Sequence, residues 1–123
     1  MIAGLGIDLT STARLAEKLK NRAFVEKIFS TKEITYCESA AKKEQHYAVR
    51  FAAKEAFLKA TSRGLAESFD LKDIEILKND SEQPMIHLHG DFEKLKTKEG
   101  WQSIHVSLSH EGDSAIAIVI IEK

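Results

Sequence analysis

The sequence predicts an α+β fold of one domain over residues 1–123, in which a largely antiparallel sheet packs against a long central helix and several short helices. Three observations support this class. Apolar residues recur at every second position in 1–9 and again in 104–108, as in half-buried strands. Residues 43–62 repeat apolar side chains with the period of a helix. Because the sequence has no repeats, linkers or low-complexity segments, one domain is the economical arrangement.

The first predicted strand has two different sides. One side carries Met1, Ala3, Leu5, Ile7 and Leu9, and the other carries Ile2, Gly4, Gly6, Asp8 and Thr10. Glycine inside a strand marks the close approach of another backbone or of a ligand, or else a β-bulge. Asp8 therefore ends a strand face that is light in side chains.

Four helices are predicted next. They are a short helix capped by Thr10 or Ser11, a second over 23–28, a third from the capping-box pair Ser30 and Glu33 to Ala41, and a long helix over 43–62 that Gly64 is placed to end. The long helix is apolar on two opposite sides, which predicts burial on both.

The second half of the chain predicts two hairpins with a helix between them. The elements are alternation at Ile74 and Ile76, a turn at Asn79 and Asp80, a strand over 85–88, a helix from Asp91 to Glu99 ended by Gly100, and two strands around a turn at 111–113. Residues 115–121 are all apolar, so the last strand is expected in the middle of a sheet, buried on both faces. The polar row beside it, which includes His105, Ser107 and Ser109, either lines a cleft or forms a solvated face.

Composition excludes several classes of protein. The 18 Lys and Arg residues nearly balance the 19 Asp and Glu residues, which argues against general nucleic-acid binding. No apolar run reaches the ~18 residues of a membrane span, and Met1 precedes no basic region of a secretion signal. Cys37 is the only cysteine, which excludes an internal disulfide and predicts a packed thiol. We therefore expect a cytoplasmic protein that binds neither nucleic acid nor membrane.

A basic stripe lies on the first two short helices. Between residues 11 and 22 the basic residues are Arg14, Lys18, Lys20 and Arg22, against Glu17 alone. Arg14, Lys18 and Arg22 follow one another at single helical turns and so share much of one face. The stripe is either a solvated surface or a docking site for an acidic partner.

Glu55 lies in the stretch RFAAKEAFLKA, residues 50–60, among apolar neighbours. One explanation is an exposed pair with Lys59, which stabilises a helix by about 0.2 to 0.5 kcal/mol. The other is a partner from elsewhere in the chain, because a buried carboxylate needs compensation. Asp8 is a second half-buried carboxylate, and a shared Mg²⁺ is the simplest way to keep both ionised. Lys59 would then face the same site and stabilise charge on phosphoryl oxygens.

Three motifs in one order resemble a known family. They are GLGIDLTSTARL at the start, RFAAKEAFLKA in the middle and HVSLSHEGDSAIAIV at the end. Together they resemble the holo-[acyl-carrier-protein] synthases, which are small 4′-phosphopantetheinyl transferases, and the likeness runs from Met1 to Ile121. The resemblance implies the fold of that family.

The resemblance also implies an activity. It is the Mg²⁺-dependent transfer of 4′-phosphopantetheine from coenzyme A to a serine of apo acyl carrier protein, in support of fatty-acid synthesis, with adenosine 3′,5′-bisphosphate as the second product. The family's metal-binding Asp and Glu fall on Asp8 and Glu55, and its catalytic lysine falls on Lys59. Either Glu55 or a water on the metal accepts the proton of the serine hydroxyl.

Other binding positions follow from the same resemblance. Those near coenzyme A are Arg50, Lys54, Lys59, Gly64, His105, Ser107, Ser109 and His110. Those that would hold the acidic second helix of the carrier protein are Arg14, Lys18 and Arg22. Members of the family are commonly homotrimers whose active sites lie between subunits, which implies the same assembly here.

The chain departs from the family pattern in places. Ser11 and Ala13 stand where acidic residues are frequent, and residues 61–64 read TSRG where LGTG is commoner. Two alternatives to an active enzyme remain: a carrier-protein-binding module that has lost its chemistry, and a small structural domain whose charged residues are solvated. The second predicts that Glu55→Gln is nearly neutral for stability and binding.

Overall fold

A computed structural model describes residues 1–62 and 70–123. Its elements are β1 (Ile2–Ser11), α1 (Thr12–Lys18), α2 (Arg22–Ile28), α3 (Thr31–Ser39), α4 (Lys43–Ala60), β2 (Ile74–Lys78), β3 (Pro84–Leu88), α5 (Gly90–Glu99), β4 (Ser103–Glu111) and β5 (Ser114–Glu122). One turn of 3₁₀ helix over Leu71–Asp73 precedes β2. The predicted α+β class is confirmed, and Gly64, predicted to end the long helix and to contact coenzyme A, lies outside the described residues.

Two antiparallel sheets flank the long helix α4. The larger sheet has three strands in the order β1-β5-β4, and β2 and β3 form a separate hairpin. Asp8 pairs with Ala117, which in turn pairs with Leu108, and this row faces α4. The position of β5 in the middle of the sheet is as predicted.

The two glycines of β1 let the strand and α4 touch backbone to backbone. A Cβ atom added to Gly4 would lie 1.9 Å from the carbonyl oxygen of Ala60, and one added to Gly6 would lie 1.9 Å from that of Ala56. Any side chain at these two positions would push the helix away from the sheet. The predicted close approach is therefore that of a backbone, and a register shift between Ile2 and Gly4 shows that β1 also contains an irregularity.

The opposite face of the larger sheet is open in the protomer. Leu5 is 62%, Ile7 54% and Leu9 68% exposed, and Ile118 beside them is 37% exposed. The prediction that β5 is buried on both faces is therefore wrong for one protomer. The cause is that α4 covers one face only, while the alternation along a strand sends half of its apolar side chains to the other.

Helix ends and core residues largely follow the sequence signals. Ser11 caps α1, and Ser30 with Glu33 forms the predicted capping box at α3. Gly100, at φ 72°, ends α5, whereas Asp91 lies in its first turn and His89 takes the cap position. Cys37 is fully buried, and burial raises the pKa of its thiol to about 12, as expected of a packed thiol. Within the described part of the chain, no helix has both the length and the apolar character to span a membrane.

Candidate active site

Asp8 is held at the junction of β1 and α4. The Thr10 hydroxyl donates a hydrogen bond to Asp8 Oδ2 at 2.8 Å, from the same side of the strand. Lys59 Nζ donates to Asp8 Oδ1 at 3.2 Å and to the carbonyl oxygen of Ile7 at 3.0 Å. The Asp8 side chain is only 15% exposed, so these contacts fix its orientation beside the helix.

Glu55 lies one helical turn before Lys59 and shares the site with Asp8. Burial raises the pKa of its carboxyl, and the negative charge of Asp8 raises it further, while Lys59 and Lys18 oppose this. Across residues 1–62 and 70–123 no ion pair joins Glu55, because Lys59 binds Asp8 instead. The structure thus brings Asp8, Glu55 and Lys59 together, and the i,i+4 pair of Glu55 with Lys59 does not form.

The donor set at this site fits a magnesium ion. Burial and, after it, the negative charge of Asp8 raise the pKa of Glu55, and a shared cation would oppose both effects. The ammonium of Lys59 already places one positive charge against Asp8. Although the described residues contain no group of three or more His, Cys, Asp or Glu residues able to hold a metal, Mg²⁺ needs only one or two carboxylates when waters and a substrate phosphate complete its shell.

The basic stripe lies next to this site. Arg14, Lys18 and Arg22 are all exposed, and Arg22 pairs with Glu26 at 2.8 Å. Lys18 Nζ lies 6.0 Å from the ring centroid of Phe24 and 5.9 Å from that of Phe51. The charge of Lys18 opposes the rise in the pKa of Glu55, so this residue of the stripe lies near enough to act on the site.

A separate cleft of about 900 Å³ lies between β3, β4 and the beginning of α4. The predicted coenzyme A residues that line it are Arg50, His105, Ser107, Ser109 and His110. The edge strand β4 therefore borders this cleft with residues of both its apolar and its polar rows. His105 Nε2 is 2.6 Å from Glu122 Oε1 on β5, which holds its ring at the cleft wall.

One protomer does not bring this polar row to the carboxylates. Ser107 pairs with Ile118, which pairs with Ile7, and this row points to the open face of the sheet. Asp8 follows Ile7 and points to the face covered by α4, since neighbouring residues of a strand face opposite ways. His105, Ser107 and Ser109 thus lie on the opposite face of the sheet from Asp8, whereas His110, in register with Ala115 and Thr10, lies on the same face as Asp8.

Lys54 requires a correction. Its side chain is fully buried, and its ammonium donates to Glu33 Oε1 at 2.8 Å, to the Leu71 carbonyl at 2.9 Å and to the Ile74 carbonyl. All three donors of the ammonium are used inside the protomer, so the predicted contact of Lys54 with coenzyme A does not fit this position. Glu33 completes the cluster by accepting from the backbone N–H groups of Ser30 and Ile76.

Arg50 forms part of the cleft wall and is itself nearly buried. Its guanidinium lies 4.5 Å from the centroid of the Tyr36 ring, and Nη1 donates to the His46 carbonyl at 3.1 Å. Lys78 Nζ lies 5.4 Å from the same ring. Burial lowers the pKa of His46, and the neighbouring positive charges of Arg50 and Lys78 lower it further. The cleft is therefore cationic at this end.

Several of these residues were not predicted from the sequence. Thr10 had a usable signal, because a residue two positions after Asp8 shares its side of the strand. Tyr36, His46 and Lys78 had none, since they come from three separate elements that meet only after folding. Glu33 was predicted as a helix cap, which it is, but its bond to Lys54 spans 21 positions.

Comparison with known proteins identifies the class to which this arrangement belongs. A family model described as "4'-phosphopantetheinyl transferase superfamily" matches residues 4–119. The chain belongs to this superfamily.

Relatives place the chain within the superfamily. A protein from Geobacter sulfurreducens named "Holo-[acyl-carrier-protein] synthase" is 44% identical over 100% of this chain and 99% of its own length. A crystal structure of a protein of that name from Neisseria meningitidis has a TM-score of 0.92 at 31% identity and covers 100% of both chains. One from Helicobacter pylori, in complex with coenzyme A, has a TM-score of 0.82 at 34% identity and covers 96% of this chain and 99% of its own. The chain groups with the holo-[acyl-carrier-protein] synthases.

Proposed function

We propose that the chain transfers 4′-phosphopantetheine from coenzyme A to a serine hydroxyl of an apo acyl carrier protein in a reaction that requires Mg²⁺. The observation that carries this proposal is the meeting of Asp8, Glu55 and Lys59 at one site, in a chain whose full-length relatives are named for this transfer. The products are the holo carrier protein and adenosine 3′,5′-bisphosphate. We further propose a cytoplasmic role in fatty-acid biosynthesis.

The residues of the site divide the chemistry between them. Asp8 and Glu55 would hold Mg²⁺, which supplies positive charge to the pyrophosphate of coenzyme A when bound. The proton of the serine hydroxyl would pass to the Glu55 carboxylate or to a water beside it. The serine oxygen forms a bond to the phosphorus that carries pantetheine, and the bond from this phosphorus to the bridging oxygen breaks. Adenosine 3′,5′-bisphosphate leaves with that oxygen.

Lys59 has a second role in this scheme. Its side chain is 57% exposed, so the ammonium is free to turn from Asp8 towards a bound pyrophosphate. There it would stabilise the negative charge that develops on the leaving phosphate. Asp8, released from this ammonium, becomes available to the metal.

The assembly proposed is a homotrimer with each active site between two subunits. Two observations support it. The open sheet face exposes Leu5, Ile7, Leu9 and Ile118, and a contiguous apolar surface of this kind marks an interaction site. The His105, Ser107 and Ser109 row of β4 lies on the opposite face of the sheet from Asp8, so a second subunit would be the one to bring these side chains to the carboxylates.

The transfer is tested by incubating the chain with apo acyl carrier protein, coenzyme A and Mg²⁺ and measuring the mass of the carrier protein. We expect the phosphopantetheine increment, its loss on adding a chelator, and its return with excess Mg²⁺. A folded sample that binds the carrier protein but gives no increment would instead be a binding module without catalysis. An increment that persists in the chelator would remove the metal from the proposal.

The assembly is tested with Leu5→Glu, which places a charge in the open apolar face. We expect sedimentation velocity to show trimers for the wild-type chain and monomers for this variant, with loss of transfer. Thr35→Glu is the control, because it adds the same charge to an exposed position on α3. A monomeric Leu5→Glu variant with wild-type transfer would contradict a site shared between subunits.

A further inference from the structure

The turn between β4 and β5 accepts hydrogen bonds from the residues at the start of α1. The Ser11 hydroxyl donates to Asp113 Oδ2 at 2.6 Å, and the Ala13 N–H donates to Asp113 Oδ1 at 2.8 Å. The Thr12 N–H donates to the Asp113 carbonyl oxygen at 2.7 Å. One residue thus satisfies three consecutive donors at the junction of β1 and α1, across a sequence distance of about a hundred positions.

Asp113 is presented to α1 by local geometry. Gly112 precedes it at φ 57°, a left-handed conformation that glycine adopts without strain, in the tight turn that joins β4 to β5. The strand pairing continues to the turn, because Ser11 pairs with Ser114 in the last position of the β1–β5 ladder. The carboxylate therefore approaches α1 from a rigid hairpin.

The helix that it holds needs such support. α1 has only 7 residues, and isolated helices shorter than about 12 residues are marginal in water. Of its residues, only Leu15 is buried, so few core contacts fix its direction. The hydrogen bonds from Ser11 and Ala13 lower the pKa of Asp113, so they favour its ionised form.

We propose that Asp113 is a positioning residue for the carrier protein: by fixing the first turn of α1, it sets where Arg14 and Lys18 stand relative to Asp8. This inference rests on the proposed function, since it assumes that the basic stripe binds an acidic carrier protein. β1 carries Asp8, and α1 begins directly at its end, so a rotation of α1 about Ser11 would move the docking side chains but leave the carboxylates in place.

Long-range charge and positioning predict opposite changes in the affinity for the carrier protein when Asp113 is removed. Asp113 is a negative charge near the basic stripe, so long-range electrostatics alone predicts that its removal strengthens binding of an acidic partner. Positioning predicts weaker binding, because Arg14 and Lys18 would be held less firmly in the docking geometry. The sign of the change therefore separates the two.

The test compares Asp113→Ala and Asp113→Asn with the wild-type chain. The Kd for apo acyl carrier protein is measured by calorimetry, and the KM values for carrier protein and for coenzyme A are measured by the mass assay. For Asp113→Ala we expect both carrier constants to rise about tenfold, as for the loss of hydrogen bonds to a charged group, with an unchanged KM for coenzyme A and an unchanged kcat. Asp113→Asn keeps one acceptor for Ala13 and is expected to show a smaller rise.

Asp80→Ala is the matched control, because it removes the same charge from the exposed turn of the other hairpin. The inference is overturned if the Kd and KM for the carrier protein stay level or fall in both Asp113 variants. An equal rise in the KM for coenzyme A also overturns it. The binding measurement keeps the inference separate from the proposed function. Weaker binding in Asp113→Ala, found in a chain without transfer activity, supports positioning while the catalytic proposal fails. A wild-type chain that does not bind the carrier protein overturns both.

Discussion

Two lysines of α4, five residues apart, each pair with a carboxylate from another element, and the two pairs differ in burial and in geometry. Lys54 and Glu33 are both fully buried, and the ammonium makes two further bonds to backbone carbonyl oxygens. Lys59 is 57% exposed, and its bond to Asp8 is longer, at 3.2 Å. The first pair joins α3 and α4 to β2 and to the 3₁₀ turn before it, whereas the second joins only α4 and β1.

The difference shows how α4 separates structure from chemistry. Burial lowers the pKa of Lys54, and the negative charge and hydrogen bond of Glu33 oppose this, so the charged pair persists only because each partner is present. Lys59 keeps contact with water, so exchanging Asp8 for a substrate phosphate costs little desolvation. A fixed ion pair therefore anchors the helix, and an exchangeable one stands at the proposed reaction centre.

The largest expected effect is on stability and follows from breaking the buried pair. Glu33→Ala leaves an unpaired buried ammonium, so we expect a loss of about 3 to 5 kcal/mol in the free energy of unfolding. Urea titration measures this loss. The double variant Glu33→Leu, Lys54→Met removes both charges and is expected to recover much of it, because the desolvation cost disappears with the charges. A single variant as stable as the wild type would mean that the pair is not an anchor.

The next largest effect is on transfer and follows from removing a carboxylate of the site. We expect Asp8→Ala and Glu55→Ala each to lower kcat by at least about a hundredfold, the scale of losing one electrostatic contact in a transition state. Sedimentation should show that both variants still assemble. Wild-type turnover in either variant would contradict the assignment of Asp8 and Glu55 as Mg²⁺ ligands. Loss of assembly would show that these acids are structural.

The contrast between the pairs also marks the limit of prediction from sequence. The elements were predictable because their signals are local: the capping box at Ser30, the alternation of β4 and the glycine that ends α5 each act within a few residues. Asp8, Glu55 and Lys59 were chosen by motif, and nothing in their spacing required them to meet. Their meeting depends on the backbone contact of Gly4 and Gly6 with α4, which is a tertiary event.

Lys54 shows how folding can separate residues of one sequence motif. Arg50, Lys54 and Glu55 are close in sequence, but successive helical residues are turned by about 100°, so neighbours in a motif face different surroundings. Glu55 faces Asp8, whereas Lys54 faces Glu33 in the core. The second face of β5 was misjudged for a related reason, because an apolar run does not say which faces of a strand other elements cover.

The third prediction concerns the exposed pair. Lys59→Gln removes the ammonium at the proposed leaving group, and we expect kcat to fall about tenfold while the free energy of unfolding changes by less than about 1 kcal/mol, as for an exposed ion pair. Steady-state transfer and urea titration measure the two effects. A loss in the free energy of unfolding as large as that of Glu33→Ala would show that both pairs stabilise the fold to the same extent.

The smallest expected effect tests a third carboxylate, which stands between the two cases. Glu75 is buried but contacts an exposed partner: the Ser30 hydroxyl donates to its Oε2 at 2.6 Å, and His89 Nε2 lies 3.0 Å from its Oε1. Burial alone would raise its pKa, but the hydrogen bonds with Ser30 and His89 outweigh burial and lower the pKa below its usual range. A carboxyl whose folded pKa is lowered contributes stability above its unfolded pKa and loses it as the pH falls through the folded value.

The free energy of unfolding should therefore fall more steeply in the wild-type chain than in Glu75→Gln as the pH falls below the ordinary glutamate range. At neutral pH we expect Glu75→Gln to cost about 1 kcal/mol, the net value of one hydrogen bond. Urea titrations at a series of pH values measure both effects, with Glu93→Gln on the exposed face of α5 as the control. If the two variants have the same pH dependence, Glu75 behaves as an exposed carboxylate. Its burial beside the Glu33 anchor would then add nothing to the stability of that region.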